Sequence, residues 1–459
     1  MGHATLIARI WAQLRAGGGL WSVSGLCLFG VWLTEEIYLL SGEYIFSVAA
    51  VALLSLFALT ALVRASFHVR SVFLIAIAVS LACVAVTGSV QAILVGLHRA
   101  EVFGAFIPAV ILLRASLKPY ASFLPSFDPT QTVSREQALL RAMTGNFLVG
   151  SLLNVGSLHI LLDRLTGQRS GVDVARLAQA SAIGIACAVM WSPFFVSIGF
   201  VSQLVSQVPL AQLMTVCLTL SCIFLLVFQV YLTGRLGLGA MLNAARSFTN
   251  LLFPLAMVTV GVLVCSQIFG FSGAQSVVLV APLIALLLML FKSGAALMTL
   301  KDSVRGVSKT TDELLIVIGA MILGTSLDAL PFFRLLFESF TPAALSADLL
   351  IFMIVLTLVF LGQLGVHPMI GIGVLVPMLL SQDFGLHPLT IGVVCVFSWG
   401  ISAVASIWAL PVSSASAVFS VPVTRILSKR LLLWVLACAL SGSLLLCLFN
   451  RLLLLSGIA

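Results

Sequence analysis

Charge is what this chain has least of. Only 8% of its 459 residues are charged and 61% are hydrophobic, with a mean hydropathy of +1.21. Soluble domains carry roughly a quarter charged residues, so a soluble globular chain is excluded, and little length remains for a soluble domain beside the apolar runs. Nine cysteines are present without one C-x-x-C pair. The spacing therefore offers no zinc or thiol-redox site; each Cys reads as a small buried hydrophobe, and neither a metal nor a cofactor is expected. The first apolar run has no A-x-A-like exit, so no cleavable signal peptide is expected. Acid is scarcer than base, 15 residues against 23, for a net charge of +8. The basic residues fall in short loops between apolar runs, which marks cytoplasmic loops rather than a nucleic-acid partner. The expected partners are the lipid bilayer and a small-molecule substrate, with no nucleic acid.

What the chain does have is apolar sequence that is broken twice in the same way. Leu148-Val-Gly-Ser-Leu-Leu-Asn-Val-Gly-Ser157 is followed by Ala188-Val-Met-Trp-Ser-Pro-Phe-Phe-Val-Ser197. Phe360-Leu-Gly-Gln-Leu-Gly-Val-His-Pro368 is followed by Ala405-Ser-Ile-Trp-Ala-Leu-Pro-Val-Ser-Ser414. Gly150 and Gly362 stand 212 positions apart, and Pro193 and Pro411 stand 218 apart. Backbone that leaves the helix at membrane depth must line a cavity or be buried in protein, because lipid cannot satisfy freed N–H and C=O groups. Matching interruptions in two halves point to a transporter's binding site.

Runs long enough to cross a bilayer, about 20 residues each, fall at 20–34, 44–63, 72–97, 102–113, 178–205, 211–233, 249–269, 274–291, 313–330, 389–423 and 431–453. The stretches 137–163 and 348–381 hold the Gly-rich interruptions. If both are re-entrant hairpins and the N-terminus is cytoplasmic, every Lys and Arg except Arg99, Arg334 and Arg451 lies inside. Treating either stretch as a through-span inverts every later loop and destroys this bias. The reading is an all-α polytopic membrane protein of about 11 transmembrane helices with two re-entrant hairpins in an inverted repeat. Residues 1–19, with Arg9 and Arg15, form a cytoplasmic amphipathic N-terminus, and 20–43 an extra first helix and loop. Residues 44–233 form a first unit with hairpin 137–163 and broken helix 178–205. Residues 234–459 form a second, inverted unit with hairpin 348–381 and broken helix 389–423. The expected home is a bacterial inner membrane, with the C-terminus extracytoplasmic.

This layout resembles the ion-transporter superfamily of secondary carriers, which includes the divalent-anion/sodium symporters. The resemblance implies eleven spans, an inward and an outward hairpin, broken fifth and tenth spans, and a small organic anion as substrate. It carries over the position of the site. The contiguous Ser-Asn-Thr of the sodium-coupled dicarboxylate branch is replaced by Ser151, Asn154 and Ser157 at the first tip and by Gln363, His367 and Pro368 at the second.

The candidate substrate- or ion-binding residues are Asn154, Gly156, Ser157, Ser192, Ser197, Gln363, Gly365, His367, Ser413 and Ser414. Helix ends exposed at the breaks offer N–H groups to an anion and carbonyls to a cation. Single serines in membrane helices usually bond a carbonyl one turn back; recurrence in both halves favours the site for the set. His367 reads either as a proton acceptor or as a neutral imidazole on a backbone carbonyl. Trp191 and Trp408, beside Pro193 and Pro411, are candidates for gating or stacking. His98 is placed in an extracytoplasmic loop. The polar segments 114–136 and 292–312 read as arms on the membrane surface or as contacts to a second protomer, which would make a homodimer. The function expected is an ion-coupled (Na+ or H+) secondary carrier and not an enzyme. The alternatives are the membrane subunit of a multicomponent uptake system and an intramembrane glycan polymerase or ligase.

Overall fold

A computed structural model describes residues 23–123, 133–166, 171–292, 296–307, 310–332, 335 and 346–456. The expected N-terminal amphipathic segment 1–19, part of the 114–136 arm, and Arg169, Lys309 and Arg334 of the charge argument lie outside the described residues. All regular structure among the described residues is helical. In chain order the helices are α1 (Val23–Ser41), α2 (Tyr44–Ala61), α3 (Phe67–Thr87), α4 (Gln91–Leu117), α5 (Arg135–Leu153), α6 (Gly156–Thr166) and α7 (Val174–Val189). Next come α8 (Val196–Leu204), α9 (Leu210–Thr233), α10 (Leu238–Arg246), α11 (Thr249–Phe269), α12 (Gly273–Phe291), α13 (Ala296–Val307) and α14 (Thr311–Asp328). The last are α15 (Ala347–Gln363), α16 (Pro368–Leu380), α17 (Pro388–Ala405), α18 (Leu410–Val418), α19 (Val423–Ile426) and α20 (Lys429–Ser456). Among the described residues nine helical stretches are long and apolar enough to cross a membrane, or ten if α13 and α14 form one bent span. The chain is a multi-pass membrane protein.

Local chemistry sets the helix ends. Ser66, Ser134 and Ser346 each accept a bond from a first-turn N–H, and Asp173 and His387 cap α7 and α17 in the same way, which satisfies donors that a helix start leaves open. The third and fourth spans differ from the sequence reading. The expected break near residues 97–102 does not exist: Arg99 and Glu101 lie inside α4, and the chain turns instead at Gly88, a left-handed cap with φ 68°. His98 is likewise in a helix and not in a loop. The charged residues suggest a loop, but the buried Ser47 takes up Glu101 while Arg99 stays exposed on the helix surface.

The chain divides into two compact units, and each draws on both halves of the sequence. Unit 1 comprises 1–120, 274–339 and 369–381; unit 2 comprises 121–273, 340–368 and 382–459. Within unit 1, α14 packs on α3 and α4, and α1 packs on α2 and α4. Small residues allow these approaches: a Cβ on Gly96 would stand 2.6 Å from the Ile322 Cα, and Thr325 donates to the Ala92 carbonyl at 2.7 Å. Unit 2 holds the first helix pair α5–α6, the limb α15, and both broken helices, α7–α8 and α17–α18. The amphipathic helices α10 and α13 carry Arg246 and Arg305 in their last turns, where a cation suits the helix dipole.

Candidate functional site

The first interruption begins at the end of α5. Asn154 adopts φ 52° and ψ −139°, a conformation that favours glycine, and its own side chain supports it by accepting from Val155 N at 2.8 Å. The chain then folds back. The Ser157 hydroxyl is within 2.8 Å of Asn146 Oδ1, eleven residues earlier, and of the Asn154 carbonyl. Gly156 opens α6, and Ser157 is fully buried.

The break between α7 and α8 frees carbonyls, and serines take them. Ser197 donates to the Val189 carbonyl at 2.5 Å, and Ser221 donates to the Cys187 carbonyl at 2.5 Å. Ser192, just past the helix, both accepts from Phe194 N at 3.2 Å and donates to the Ser151 carbonyl at 2.5 Å. That carbonyl belongs to the last turn of α5, where no intrahelical donor remains. Ser192 therefore clasps the broken helix to the tip of the preceding helix pair.

The second half repeats this clasp with a different residue from the one expected. Ser406, at the end of α17, accepts from Trp408 N at 3.2 Å and donates to the Gly362 carbonyl in the last turn of α15 at 2.6 Å. Ser192 and Ser406 stand 214 positions apart, close to the 212 of Gly150 and Gly362. Aligning the prolines obscures this equivalence, because Pro193 directly follows its clasp serine whereas Pro411 is the second residue of α18. Ser413 bonds back to the Ala409 carbonyl at 3.0 Å, and Ser414 is half-buried on the same short helix. Asn146, Ser151, Ser406 and Trp399 carry the geometry and are not among the expected site residues. Applying the hairpin offset of 212 to Ser192 reaches Val404, with Ser402 and Ser406 two residues to either side, so the sequence narrows the choice to these two without deciding it.

The two broken helices run antiparallel past each other. Gly392 of α17 lies against Val201 and Val205 of the first half, and Gly400, two turns on, lies against Met190 and the Ala186 carbonyl. As α17 advances, its neighbour recedes from α8 to the end of α7. Contacts come in matched pairs: α17 with α8 and α18 with α7, α5 with α7 and α15 with α17. The tips flank this crossing. Trp191 packs on Phe147 of α5 with ring centroids 6.0 Å apart. Beyond α15, Gly365 has φ 84°, and a Cβ there would meet Trp408 Nε1 at 3.0 Å. His367 meets Trp399 edge-on at 5.3 Å, and Trp399 in turn meets Phe200 at 6.4 Å. The two tryptophans are not equivalent in setting: Trp191 is 6% exposed and Trp408 57%. Pro193 and Pro411 are both buried.

Two donors at the tips find no acceptor. Trp191 Nε1 and Gln363 Nε2 are both buried without a hydrogen-bond partner in the protein. A buried polar group left unmade costs about 1–3 kcal/mol, which singles out such atoms for a reason.

Replacing Ser192 by alanine leaves the Ser151 carbonyl without a donor, whereas the Gly362 carbonyl keeps the Gly365 N–H at 3.2 Å when Ser406 is replaced. We expect Ser192→Ala to cost about 1–3 kcal/mol and Ser406→Ala less, about 0.5–1.5 kcal/mol, read as a lowered thermal midpoint in detergent. Ser413→Ala, which removes only a bond one turn back, should stay within about 0.5 kcal/mol of the parent. A larger loss at Ser406 than at Ser192 would show that the Gly365 N–H does not serve the Gly362 carbonyl.

No protein-family model matches the chain, and no curated protein is similar to it in sequence.

Proposed function

We propose that the chain is a secondary transporter of a small organic solute, working by alternating access and coupled to Na+ or H+. The observation that carries this reading is the paired break within unit 2: two antiparallel broken helices, each held by one serine to the tip of its own helix–turn segment. Irregular backbone among membrane helices is tolerated where it is buried or lines a cavity, and paired interruptions are where carriers hold cargo. Buried, unpartnered N–H groups on Trp191 and Gln363 favour an acceptor-rich, anionic solute. The division of the chain supports a moving part: unit 2 collects the interrupted segments of both halves, apart from most of α16, while unit 1 collects uninterrupted spans from both.

In this reading, α5–α6 and α15–α16 are the inward and outward hairpins of an inverted repeat with about 11 spans. The N-terminus is cytoplasmic, and Asn154, Gly365 and His367 sit near the midplane. The test is reconstitution into sealed vesicles with imposed Na+ or H+ gradients and a panel of labelled organic acids. Gradient-driven, saturable uptake of at least one of them is expected. Absence of gradient-dependent flux in either direction across the panel rejects the carrier.

A further inference from the structure

Unit 1 buries two carboxyl groups that the transport reading does not use. Glu35 of α1 is 1% exposed and Glu101 of α4 is 5% exposed. The helix packing brings them to one level. α1 and α2 are joined by a two-residue turn, Gly42-Glu43, and pack on each other as a hairpin. α2 and α4 run parallel, since Tyr44 meets His98 and Ser47 meets Glu101. α1 is therefore antiparallel to α4. The two cross where a Cβ on Gly104 would stand 2.6 Å from Val31 Cγ1. Glu35 lies one turn beyond Val31 and Glu101 one turn before Gly104, so both point toward the same level of the same interface. The Glu35 carboxyl acts electrostatically on Glu101, and both acids act on the Tyr38 phenol.

Each carboxyl group keeps one oxygen without a hydrogen-bond partner, Glu35 Oε2 and Glu101 Oε2. Glu101 Oε1 is reached by a continuous line of donors. The Tyr44 hydroxyl, at the exposed start of α2, lies 3.2 Å from His98 Nε2; His98 Nδ1 lies 3.1 Å from Ser47 Oγ; and Ser47 Oγ donates to Glu101 Oε1 at 2.7 Å. His98 Nδ1 also stands 3.5 Å from Glu101 Oε2. One orientation of the protons satisfies the whole chain: Tyr44 O–H to Nε2, Nδ1–H to Ser47 and Ser47 O–H to Glu101.

We infer that Glu35 and Glu101 form a proton-binding site, fed from the exposed end of α2 through Tyr44, His98 and Ser47. Two carboxylates buried at one level of one helix interface resist both being fully charged, and one proton on the pair removes the repulsion. Intramembrane acids of this kind mark proton and ion pathways. The transfer is balanced. Ser47 gives its proton to Glu101 and takes one from His98 Nδ1, while His98 Nε2 takes one from Tyr44, which takes one from a hydronium ion at the exposed end of α2 and releases water.

The neighbouring charges are few. α1 adds Glu36, α2 follows Glu43 and contributes no charged side chain of its own, and α4 adds the exposed Arg99. α14, packed on α4 through Gly96, carries its acids at its two ends, Asp312 and Glu313 at one and Asp328 at the other. The donor line favours a proton over a metal cation, because Ser47 turns its O–H toward Glu101 and, among the described residues, no group of three or more His, Cys, Asp or Glu is placed to hold a metal ion. Proton binding stands on this geometry alone; only its use in coupling rests on the carrier reading.

The experiment is infrared difference spectroscopy of the full-length protein in lipid, following the carboxylic-acid C=O stretch at neutral pH. The parent should show an acid band that shifts in frequency in Glu35→Gln and in Glu101→Gln and is lost in the double variant; Glu36→Gln should leave it in place. Gln keeps the shape of Glu, and an unchanged thermal midpoint verifies folding. If the double variant fails to fold, the shift in Glu35→Gln decides the matter. Ser47→Ala should retain the band but slow its hydrogen–deuterium exchange severalfold. A parent spectrum with no acid band sensitive to either glutamate overturns the site. Loss of the band on adding NaCl at fixed pH overturns the proton in favour of a sodium ion. Failure of vesicle transport alone would leave these spectra unchanged and bears only on the carrier.

Discussion

Replacing Gln363 by methionine should weaken the proposed uptake of an organic acid roughly ten- to hundredfold while leaving the protein as stable as before. The amide Nε2 of Gln363 is buried without an acceptor, so the folded protein gains nothing from it, and an apolar side chain of similar volume should be neutral or stabilising. A bound carboxylate would complete that donor. Losing a hydrogen bond to a charged group costs about 1.5–3 kcal/mol, which corresponds to roughly ten- to hundredfold in apparent affinity. Trp191→Phe removes the second unpartnered donor and should act in the same direction, with a small stability loss from the smaller ring. Uptake kinetics and thermal midpoints measured on the same preparations check both halves of the prediction. Parent-like uptake in both variants would remove these donors from the site, and a large stability loss in Gln363→Met would show that the amide has a structural partner after all.

Gly184→Ala should be among the most disruptive single-methyl additions in the chain. A Cβ at Gly184 would fall on the Met143 carbonyl oxygen, with the carbonyl carbon and the Phe147 nitrogen each 3.0 Å away. Those are backbone atoms of α5, and no rotamer change can move them aside. The first helix pair would have to separate from the broken helix, and with it the Ser192–Ser151 clasp would open. Overpacking of this kind costs about 1–3 kcal/mol or more, so a sharp fall in folded yield and thermal midpoint is expected. Gly239, on amphipathic α10, is the matched control: nothing lies within 4 Å of its Cβ position, and Gly→Ala in an open helix should be neutral or stabilise by up to about 1 kcal/mol. Equal behaviour of the two variants would mean that α5 and α7 are not packed as closely as described.

Sequence and structure agree along most of the chain and part at particular residues. Apolar runs locate most of the helices, because a helix that crosses lipid must be apolar along its length. The rule fails at Arg99 and Glu101, where charge reads as the end of a span. Whether an acid can stay in a membrane helix depends on what faces it, and Glu101 is faced not only by His98 one turn back but by Ser47, 54 residues earlier, which no local pattern connects to it. The paired interruptions are visible as Gly, Ser, Trp and Pro in broken apolar sequence. The structural equivalence of Ser192 and Ser406 is not, because it is defined by the carbonyls they reach, Ser151 and Gly362.

Composition and periodicity alone established a polytopic helical membrane protein, with interruptions at corresponding places in its two halves. These are properties of short windows, in which each residue's hydrophobicity and backbone freedom act locally. Which breaks cross, which serine closes each clasp, which donors are left open and which glutamates meet were decided only by the tertiary structure. Each of those is a contact between segments distant in the chain, set by close helix approach at Gly104, Gly184 and Gly400, and the energy of a buried polar group depends on its partner rather than on its own sequence neighbours.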